Sequence, residues 1–184
     1  MKDIEFVMDK KNAELVMTVP EPYGPYLAYH TQCRTTIGVL VQLLSRAKHR
    51  VIIGAPFIQS SYGITGGVLA GSLQAALRRS ANIEVLSTGS SLQVIEQDGL
   101  LKEVSGNLQL YRPSANLSDE HKLGSHAKFC VVDGESAYIG SANLTSPGLS
   151  SQLELGVLVH GEIAQQVEQF WDYAVTIGLF VRIS

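Results

Sequence analysis

The sequence has only two cysteines, Cys33 and Cys130, which stand far apart and outside any metal-ligand spacing. This excludes a disulfide-stapled secreted scaffold and favours two reduced thiols in a cytoplasmic protein. The N-terminal stretch MKDIEFVMDKKNAEL carries too many charges for a signal peptide. No apolar run approaches the roughly 18 residues of a membrane span, because the basic residues 48–50 interrupt the best candidate. We therefore expect a cytoplasmic protein with no membrane partner.

Acidic residues are absent from one long window, residues 22–83, although the whole chain has a net charge of −3. The same window holds six bases: Arg34, Arg46, Lys48, Arg50, Arg78 and Arg79. Such asymmetry indicates a side of the protein that faces an anion. The alternative interpretation is that these cations complement the C-terminal ends of helices.

Helical periodicity and short apolar strands alternate along the chain, which is typical of an α/β fold. Strands are predicted at residues 14–19, 51–58, 83–86, 107–111, 153–159 and 179–183. Helices are predicted at 35–48, 68–79 and 91–102, and a last one has an apolar face of Ile163, Val167, Phe170, Trp171 and Ala174. We expect a single domain over 1–184 with a mixed, largely parallel sheet flanked by helices. Residues 1–30 are expected to form an N-terminal arm, whose tyrosines either pack on the core or stack on bases.

The stretch 125–143, SHAKFCVVDGESAYIGSAN, carries the residues best suited to chemistry. The apolar residues 129–132 predict a buried strand. Side chains two apart on a strand share a face, so His126 and Lys128 are expected to point the same way.

The second half of this stretch predicts a turn and a returning strand. Asp133 lies an odd number of residues after His126 and Lys128, so it would face the other side of a strand. It also precedes a glycine, which indicates a place in the turn. The strand 137–140 is expected to return antiparallel and to end at Gly140, where backbone can come close to a ligand. Ser141 and Asn143 follow two residues apart, so their side chains are expected to share a face if the chain stays extended.

These residue types together make an anion site with a nucleophile at its edge. A neutral imidazole at His126 can attack phosphorus, while the charge of Lys128 and the donors of Ser141 and Asn143 neutralise phosphate oxygens. A nucleophilic histidine needs an orienting partner, and Glu154 is the best-placed candidate. The sequence offers no carboxylate cluster and no histidine pair at metal spacing, so we expect chemistry without a metal or other cofactor.

The pattern H-x-K-x4-D-x6-G-S-x-N, followed by Glu154, resembles the HKD motif of the phospholipase D superfamily. The resemblance implies an α-β-α sandwich and a phosphohistidine intermediate on His126. Lys128, Ser141 and Asn143 would hold the phosphate, and Glu154 would orient His126.

The resemblance also implies structural roles for Asp133 and Gly140 and an active site built from two motifs. This chain has one copy, so we expect a homodimer with a two-fold axis through the site. The other histidines lack the motif and are interpreted as surface or capping residues: His30, His49, His121 and His160.

The expected activity is a metal-independent phosphodiesterase that acts on nucleic acid, DNA rather than RNA. Residues 18–26 and 33–47 also resemble the phospholipase D-like proteins of bacterial DISARM anti-phage defence, which implies defence-system subunits as partners. Two alternatives stay open: a phospholipase or phosphatidyl transferase that acts on lipid, and a non-catalytic nucleic-acid-binding subunit of a defence complex.

Overall fold

The structure, a computed structural model, describes residues 12–97, 107–115 and 124–183. Within these residues the strands are β1 Ala13–Thr18, β2 Arg34–Thr35, β3 Arg50–Gly54, β4 Asn82–Leu86, β5 Leu108–Pro113, β6 Phe129–Val132, β7 Ser136–Gly140, β8 Glu154–His160 and β9 Phe180–Arg182. The helices are α1 Tyr23–Thr31, α2 Thr36–Arg46, α3 Gly67–Arg78, α4 Gly89–Gln97 and α5 Glu162–Thr176. A short 3₁₀ turn, Gly63–Thr65, and a π-turn, Pro147–Ser151, interrupt two of the loops.

The described strands form one sheet in the order β2-β1-β8-β7-β6-β3-β4-β5-β9. Helices cover both faces, so the predicted mixed α/β sandwich is confirmed. The expectation that the sheet is largely parallel needs correction. Three of the described pairings are parallel (β1/β2, β3/β4 and β4/β5) and five are antiparallel. The reason is that β6, β7 and β8 follow one another as an antiparallel meander, and β6 then pairs antiparallel with β3.

Two apolar layers hold the helices on the sheet. On one face α2, α3 and α4 bury leucines, isoleucines and valines against β3, β4 and β6. Helix α2 begins where predicted, because the Thr35 hydroxyl accepts a hydrogen bond from the Gly38 N–H at 3.3 Å. On the other face α5 packs through Trp171, which is fully buried and stacks on Phe180 with ring centroids 5.4 Å apart.

Several predicted boundaries shift for local reasons. The strand expected over 51–58 ends at Gly54, since Pro56 has no N–H to donate to a ladder. Two members of the expected apolar face of α5, Ile163 and Phe170, are about half exposed. Part of the helix expected over 91–102 lies outside the described residues.

The N-terminal segment divides into two parts. Strand β1 lies inside the sheet between β2 and β8. Helix α1 has no buried residue, and its tyrosines at 23, 26 and 29 are largely exposed. These tyrosines therefore do not pack on the described core, while the arm and the single-domain organisation stay predictions.

Three of the six cations of the acid-free window lie at helix ends, as the alternative interpretation expects. Arg46 and Arg78 end α2 and α3, and the guanidinium of Arg79 donates to the carbonyl groups of Ala47 and Leu44. These groups lie at the N-terminal end of β3, so the window does not form one anion-facing side around the C-terminal end of that strand.

A buried ion network fastens α5 to the sheet. Glu84 on β4 is 7% exposed, and both of its oxygens are occupied. Arg50 Nε donates to one oxygen at 2.6 Å, and Trp171 Nε1 donates to the other at 2.6 Å. Arg50 also reaches Asp172 at 2.8 Å and Glu168 at 3.4 Å on α5. Loss of the arginine would leave a buried carboxylate without its counter-charge.

We predict that Arg50→Met lowers the free energy of unfolding by about 3 kcal/mol, because it leaves Glu84 buried and unpaired. Urea denaturation at pH 7 measures this change. The matched control is Arg46→Met at the exposed end of α2, which we expect to stay within about 0.5 kcal/mol of wild type. Equal losses in the two variants would show that the network does not stabilise the fold.

Candidate active site

The candidate residues lie at one end of the sheet. His126 and Lys128 precede β6, Ser141 and Asn143 follow β7, and Glu154 begins β8. Because neighbouring antiparallel strands run in opposite directions, the start of β6, the end of β7 and the start of β8 lie side by side. This is also the C-terminal end of the parallel strand β3, the end at which open α/β sheets bind ligands.

Lys128 and His126 are in direct contact. Lys128 Nζ lies 3.1 Å from Nδ1 and 3.2 Å from Nε2 of the His126 ring, and it donates to the His126 carbonyl oxygen at 2.9 Å. An ammonium group only donates, so the ring nitrogen that accepts must carry a free lone pair. The histidine side chain is exposed, whereas Lys128 is 5% exposed. An exposed imidazole thus lies against a buried ammonium group.

The ammonium of Lys128 has no carboxylate salt bridge within the described part of the chain. Burial lowers the pKa of Lys128, and the negative charge of Glu154 partly offsets this effect. Buried charges are normally paired, because desolvation of an unpaired ion is costly. An anionic ligand would supply the missing counter-charge at this position.

Glu154 is held by Ser141 rather than by His126. The Ser141 hydroxyl donates to Glu154 Oε2 and accepts the N–H of Leu155 at 3.1 Å. The Ser141 N–H donates to the Leu155 carbonyl at 3.0 Å, which ties the end of β7 to the start of β8. The orienting role expected for Glu154 therefore stays a prediction, and Ser141 is its hydrogen-bond partner in this structure.

Asn143 has a buried side-chain oxygen, Oδ1, with no hydrogen-bond partner among the described residues. Gly148 in the following π-turn packs so closely on the Asn143 backbone that a Cβ there would lie 2.9 Å from the Asn143 nitrogen. The backbone is thus fixed while the amide keeps unused hydrogen-bonding capacity. A buried polar atom without a partner is uncommon, and a bound group could supply the missing hydrogen bond.

Two glycines and a tyrosine form the floor next to Lys128. Gly140 pairs with Gly156 across β7 and β8, and the Gly140 N–H donates to the Lys128 carbonyl at 3.1 Å. The ring of Tyr138 crosses both glycines. A Cβ on Gly140 would collide with its hydroxyl, and a Cβ on Gly156 would lie 2.6 Å from its ring. Gly140 was expected to admit a ligand, but here its close neighbour is Tyr138.

Sequence reasoning missed three residues of this region: Phe57, Tyr138 and Gly156. The ring centroid of Phe57 lies 6.3 Å from that of His126 in an edge-to-face arrangement, and the side chain is 40% exposed. The strand predicted over 51–58 includes Phe57, although Pro56 before it indicates that the strand ends earlier. A glycine inside the apolar run 153–159 could likewise have indicated a close approach of neighbouring groups at 156.

Asp133 lies at the opposite end of β6 from His126. Its carboxylate accepts the backbone N–H groups of Lys48, His49 and Arg50 at 2.8 to 2.9 Å, which connects the β6–β7 turn to the α2–β3 loop. The backbone of Asp133 has φ +54°, which aspartate tolerates in turns. Burial opposes ionisation, but these three donors outweigh it and hold the pKa of Asp133 below its ordinary value.

The other histidines are remote from His126 or lie outside the described residues. His49 lies in the α2–β3 loop, and His160 ends β8, where its Nδ1 lies 2.8 Å from the Ser136 hydroxyl. Both belong to the far end of the sheet. His30 lies on α1 against Tyr29. His121 lies outside the described residues. Within the described part of the chain, no second histidine contacts His126.

Two other kinds of site, a metal centre and a membrane-spanning helix, are absent from the described residues. No group of three His, Cys, Asp or Glu side chains there is arranged to hold a metal ion. No helix among them has both the length and the apolar character to cross a bilayer. Burial raises the pKa of Cys130 to about 12, so this thiol is a core residue rather than a nucleophile.

Comparison with known families agrees with the motif. A profile of the family described as "Cardiolipin synthase, PLD-like domain" matches residues 40–174, more than half of the chain. The chain belongs to this phospholipase D-like family. The resemblance inferred from the HKD pattern is therefore confirmed.

Individual relatives are distant and longer than the part they share with this chain. DISARM protein DrmC of Bacillus paralicheniformis is 26% identical over 160 residues, which cover 83% of this chain and 59% of that protein. The 5′-3′ exonuclease PLD4 of Mus musculus is 25% identical over 188 residues, which cover 89% of this chain and 34% of that protein. The chain thus spans less than two thirds of these curated relatives. The expected similarity to DISARM proteins of this kind is confirmed.

The fold agrees with a solved member of the superfamily. Nuc from Salmonella typhimurium, a phospholipase D family member, superposes with a TM-score of 0.63 at 13% identity. The match covers 93% of this chain and 97% of Nuc. At this identity the match shows a shared fold.

We predict that Lys128→Met raises the free energy of unfolding by about 1 kcal/mol at pH 7, because it removes a buried charge without a carboxylate partner. The folded-state pKa lies below the ordinary 10.5. The gain should therefore shrink as pH rises through that lowered pKa towards 10.5, where wild type also becomes neutral. Urea denaturation at several pH values measures this. Lys48→Met, an exposed lysine, is the control, and destabilisation by Lys128→Met would contradict the argument.

We predict that Asp133→Asn lowers the free energy of unfolding by about 2 kcal/mol at pH 7, because charge-assisted bonds to three N–H groups are lost. A carboxylate with a lowered pKa contributes stability above its ordinary pKa, 3.8, and loses it as pH falls through the folded-state value. Urea denaturation at pH 7, 4 and 2.5 should show the deficit fading in acid. The exposed Glu135→Gln is the control, and a deficit independent of pH would contradict the assignment.

Proposed function

We propose that this protein hydrolyses phosphodiester bonds of nucleic acid, DNA rather than RNA, through a covalent phosphohistidine on His126 and without a metal ion. The observation that carries the proposal is the buried Lys128 ammonium, which touches the imidazole of His126 and lacks a carboxylate partner among the described residues. A phosphodiester supplies both the anion for the lysine and the electrophile for the histidine.

The proposed reaction has two steps. In the first, a His126 ring nitrogen attacks phosphorus, and the bond from phosphorus to the leaving oxygen breaks as that oxygen takes a proton from a second imidazole. In the second, this imidazole accepts a proton from water, which attacks phosphorus and releases a phosphate monoester and neutral His126. Lys128, Ser141 and Asn143 bind the non-bridging oxygens, and Glu154 orients the imidazole.

The second imidazole is assigned to His126 of a second copy of the chain. Proton donation needs a titratable group within hydrogen-bond reach of the leaving oxygen. The described His30, His49 and His160 make no contact with His126, and the motif occurs once. A two-fold axis next to the site would bring two His126 side chains together, so we assign activity to a homodimer.

The choice of nucleic acid as substrate rests on similarity. One relative is named a 5′-3′ exonuclease and another a DISARM protein. We therefore assign the protein to nucleic-acid cleavage in the cytoplasm, in association with subunits of an anti-phage defence system. A lipid substrate is the second candidate, since the matching family is described as cardiolipin synthase.

A gel assay tests the proposal directly. Plasmid, single-stranded DNA and RNA are each incubated with purified protein, with and without EDTA. We predict cleavage that persists in EDTA and falls at least about a thousandfold in His126→Asn, since the nucleophile of the covalent route is removed.

The matched control is His49→Asn, which changes an exposed histidine at the far end of the sheet and should cleave like wild type. Cleavage abolished by EDTA would contradict the metal-free route. Head-group release from phosphatidylglycerol vesicles without nucleic-acid cleavage would favour the lipid substrate. Binding without turnover, unchanged in His126→Asn, would favour a non-catalytic subunit.

A further inference from the structure

A groove of about 290 Å³ lies between α1 and the sheet, next to the candidate active site. We call it the α1 groove. Its walls are the end of β1, one side of α1 and the π-turn, and its lining residues are Met17, Thr18, Val19, Glu21, Gly24, Pro25, Ala28, Thr35, Leu149 and Ser150. The volume is near the lower end of the range for small-molecule pockets, about 300 Å³.

The α1 groove adjoins the site through two contacts. Thr18 pairs with Glu154 across β1 and β8, so their side chains lie on the same face of the sheet. On the other wall, Leu149 and Ser150 belong to the π-turn whose Gly148 packs on the Asn143 backbone. Neighbouring strands are about 4.8 Å apart, so the β1 wall lies roughly 15 Å from Lys128 on the β6 side. A single strand stretched to about twice the 3.4 Å rise of the duplex spans this distance in about two nucleotides.

The groove is open because α1 presents small residues to it. Gly24, Pro25 and Ala28 face the groove, while the large tyrosines of α1 are exposed. Within the groove, Thr18 is 5% exposed, and its hydroxyl oxygen is buried with no hydrogen-bond partner among the described residues. A rotation of the Thr18 side chain about χ1 would turn this hydroxyl into the groove, where a ligand N–H group could satisfy it.

The charge and polarity of the groove lining suit a nucleobase better than a phosphate group. It contains no Lys or Arg side chain, and the carboxylate of Glu21 would repel an anion. The apolar surfaces of Met17 and Leu149 suit a flat aromatic face, while hydroxyls and a carboxylate can accept the N–H groups of a base edge.

Phe57 provides an aromatic surface on the other side of the site. It follows β3, whereas the α1 groove lies beyond β8 at β1, and β6 with its Lys128 stands between them in the sheet order. A single nucleic-acid strand that crosses this end of the sheet would thus contact Phe57 first, then the buried ammonium of Lys128, and then the α1 groove.

We propose that the α1 groove is a nucleobase subsite, which receives one unstacked base of a single-stranded substrate on the β1 side of the scissile phosphate. This rests on the proposed nucleic-acid substrate. Because Thr18 and α1 lie outside residues 40–174, the subsite would add substrate selection to the shared phospholipase D-like domain.

The test uses end-labelled single-stranded DNA of one sequence in which a single abasic residue is moved stepwise past the main cleavage site. For wild type, an abasic residue at one position should slow cleavage about tenfold, the effect of losing one bound base. In Ala28→Phe, which fills the groove, the intact oligonucleotide should already be cleaved about tenfold more slowly, and the abasic residue should add nothing. Thr18→Val should show a smaller loss at the same position.

The matched control is Ala13→Phe at the exposed far end of β1, which should keep the wild-type abasic profile. Binding of the same oligonucleotides to His126→Asn, measured by fluorescence anisotropy, separates the two proposals. Cleavage by wild type with identical abasic profiles in wild type and Ala28→Phe would overturn the subsite and leave the proposed function intact. No cleavage, together with no binding by His126→Asn, would overturn both. Head-group release from phosphatidylglycerol vesicles by wild type that is lost in Ala28→Phe, without cleavage of DNA, would overturn the base subsite in favour of a lipid.

Discussion

The contact between the Lys128 ammonium and the His126 imidazole is the interaction on which the site depends. It puts a buried positive charge, without a carboxylate salt bridge among the described residues, against an exposed imidazole. The neighbouring strands keep this arrangement in place. Gly140 accepts no side chain because Tyr138 fills the space above it, and Ser141 holds Glu154 at the start of β8. Burying the lysine without a carboxylate partner has a free-energy cost, which a bound anion would offset.

The interactions that stabilise β3 lie at the opposite end of the sheet from His126. Asp133 caps the three N–H groups at the start of β3, and Arg50 neutralises Glu84 beneath α5. Both interactions fix β3, the strand against which β6 pairs. The register of β6 in turn sets the positions of His126 and Lys128. The aspartate of the motif thus supports His126 and Lys128 from the opposite end of their own strand, without touching them.

Local patterns predicted those parts of the protein that depend on neighbours in sequence. The strands around 129–132 and 137–140, the cap of α2 by Thr35 and the shared direction of His126 and Lys128 all follow from spacing. The missed features depend on which strands become neighbours. Pairing of β6 with β3 makes the sheet more antiparallel than expected, and pairing of β7 with β8 brings Gly156 opposite Gly140. Periodicity cannot reveal such pairings, nor that Arg50 lies opposite the buried Glu84.

In the proposed mechanism a ring nitrogen of His126 forms a covalent bond to phosphorus, and trapping that intermediate is the most direct test. The protein is mixed with single-stranded DNA in EDTA, quenched in alkali within the first turnover, digested and analysed by mass spectrometry. We expect a nucleotide or phosphate adduct on the wild-type peptide that contains His126, and no such adduct on the same peptide of His126→Asn. Turnover of the DNA with no adduct at His126, or an adduct on another residue, would contradict the proposed mechanism.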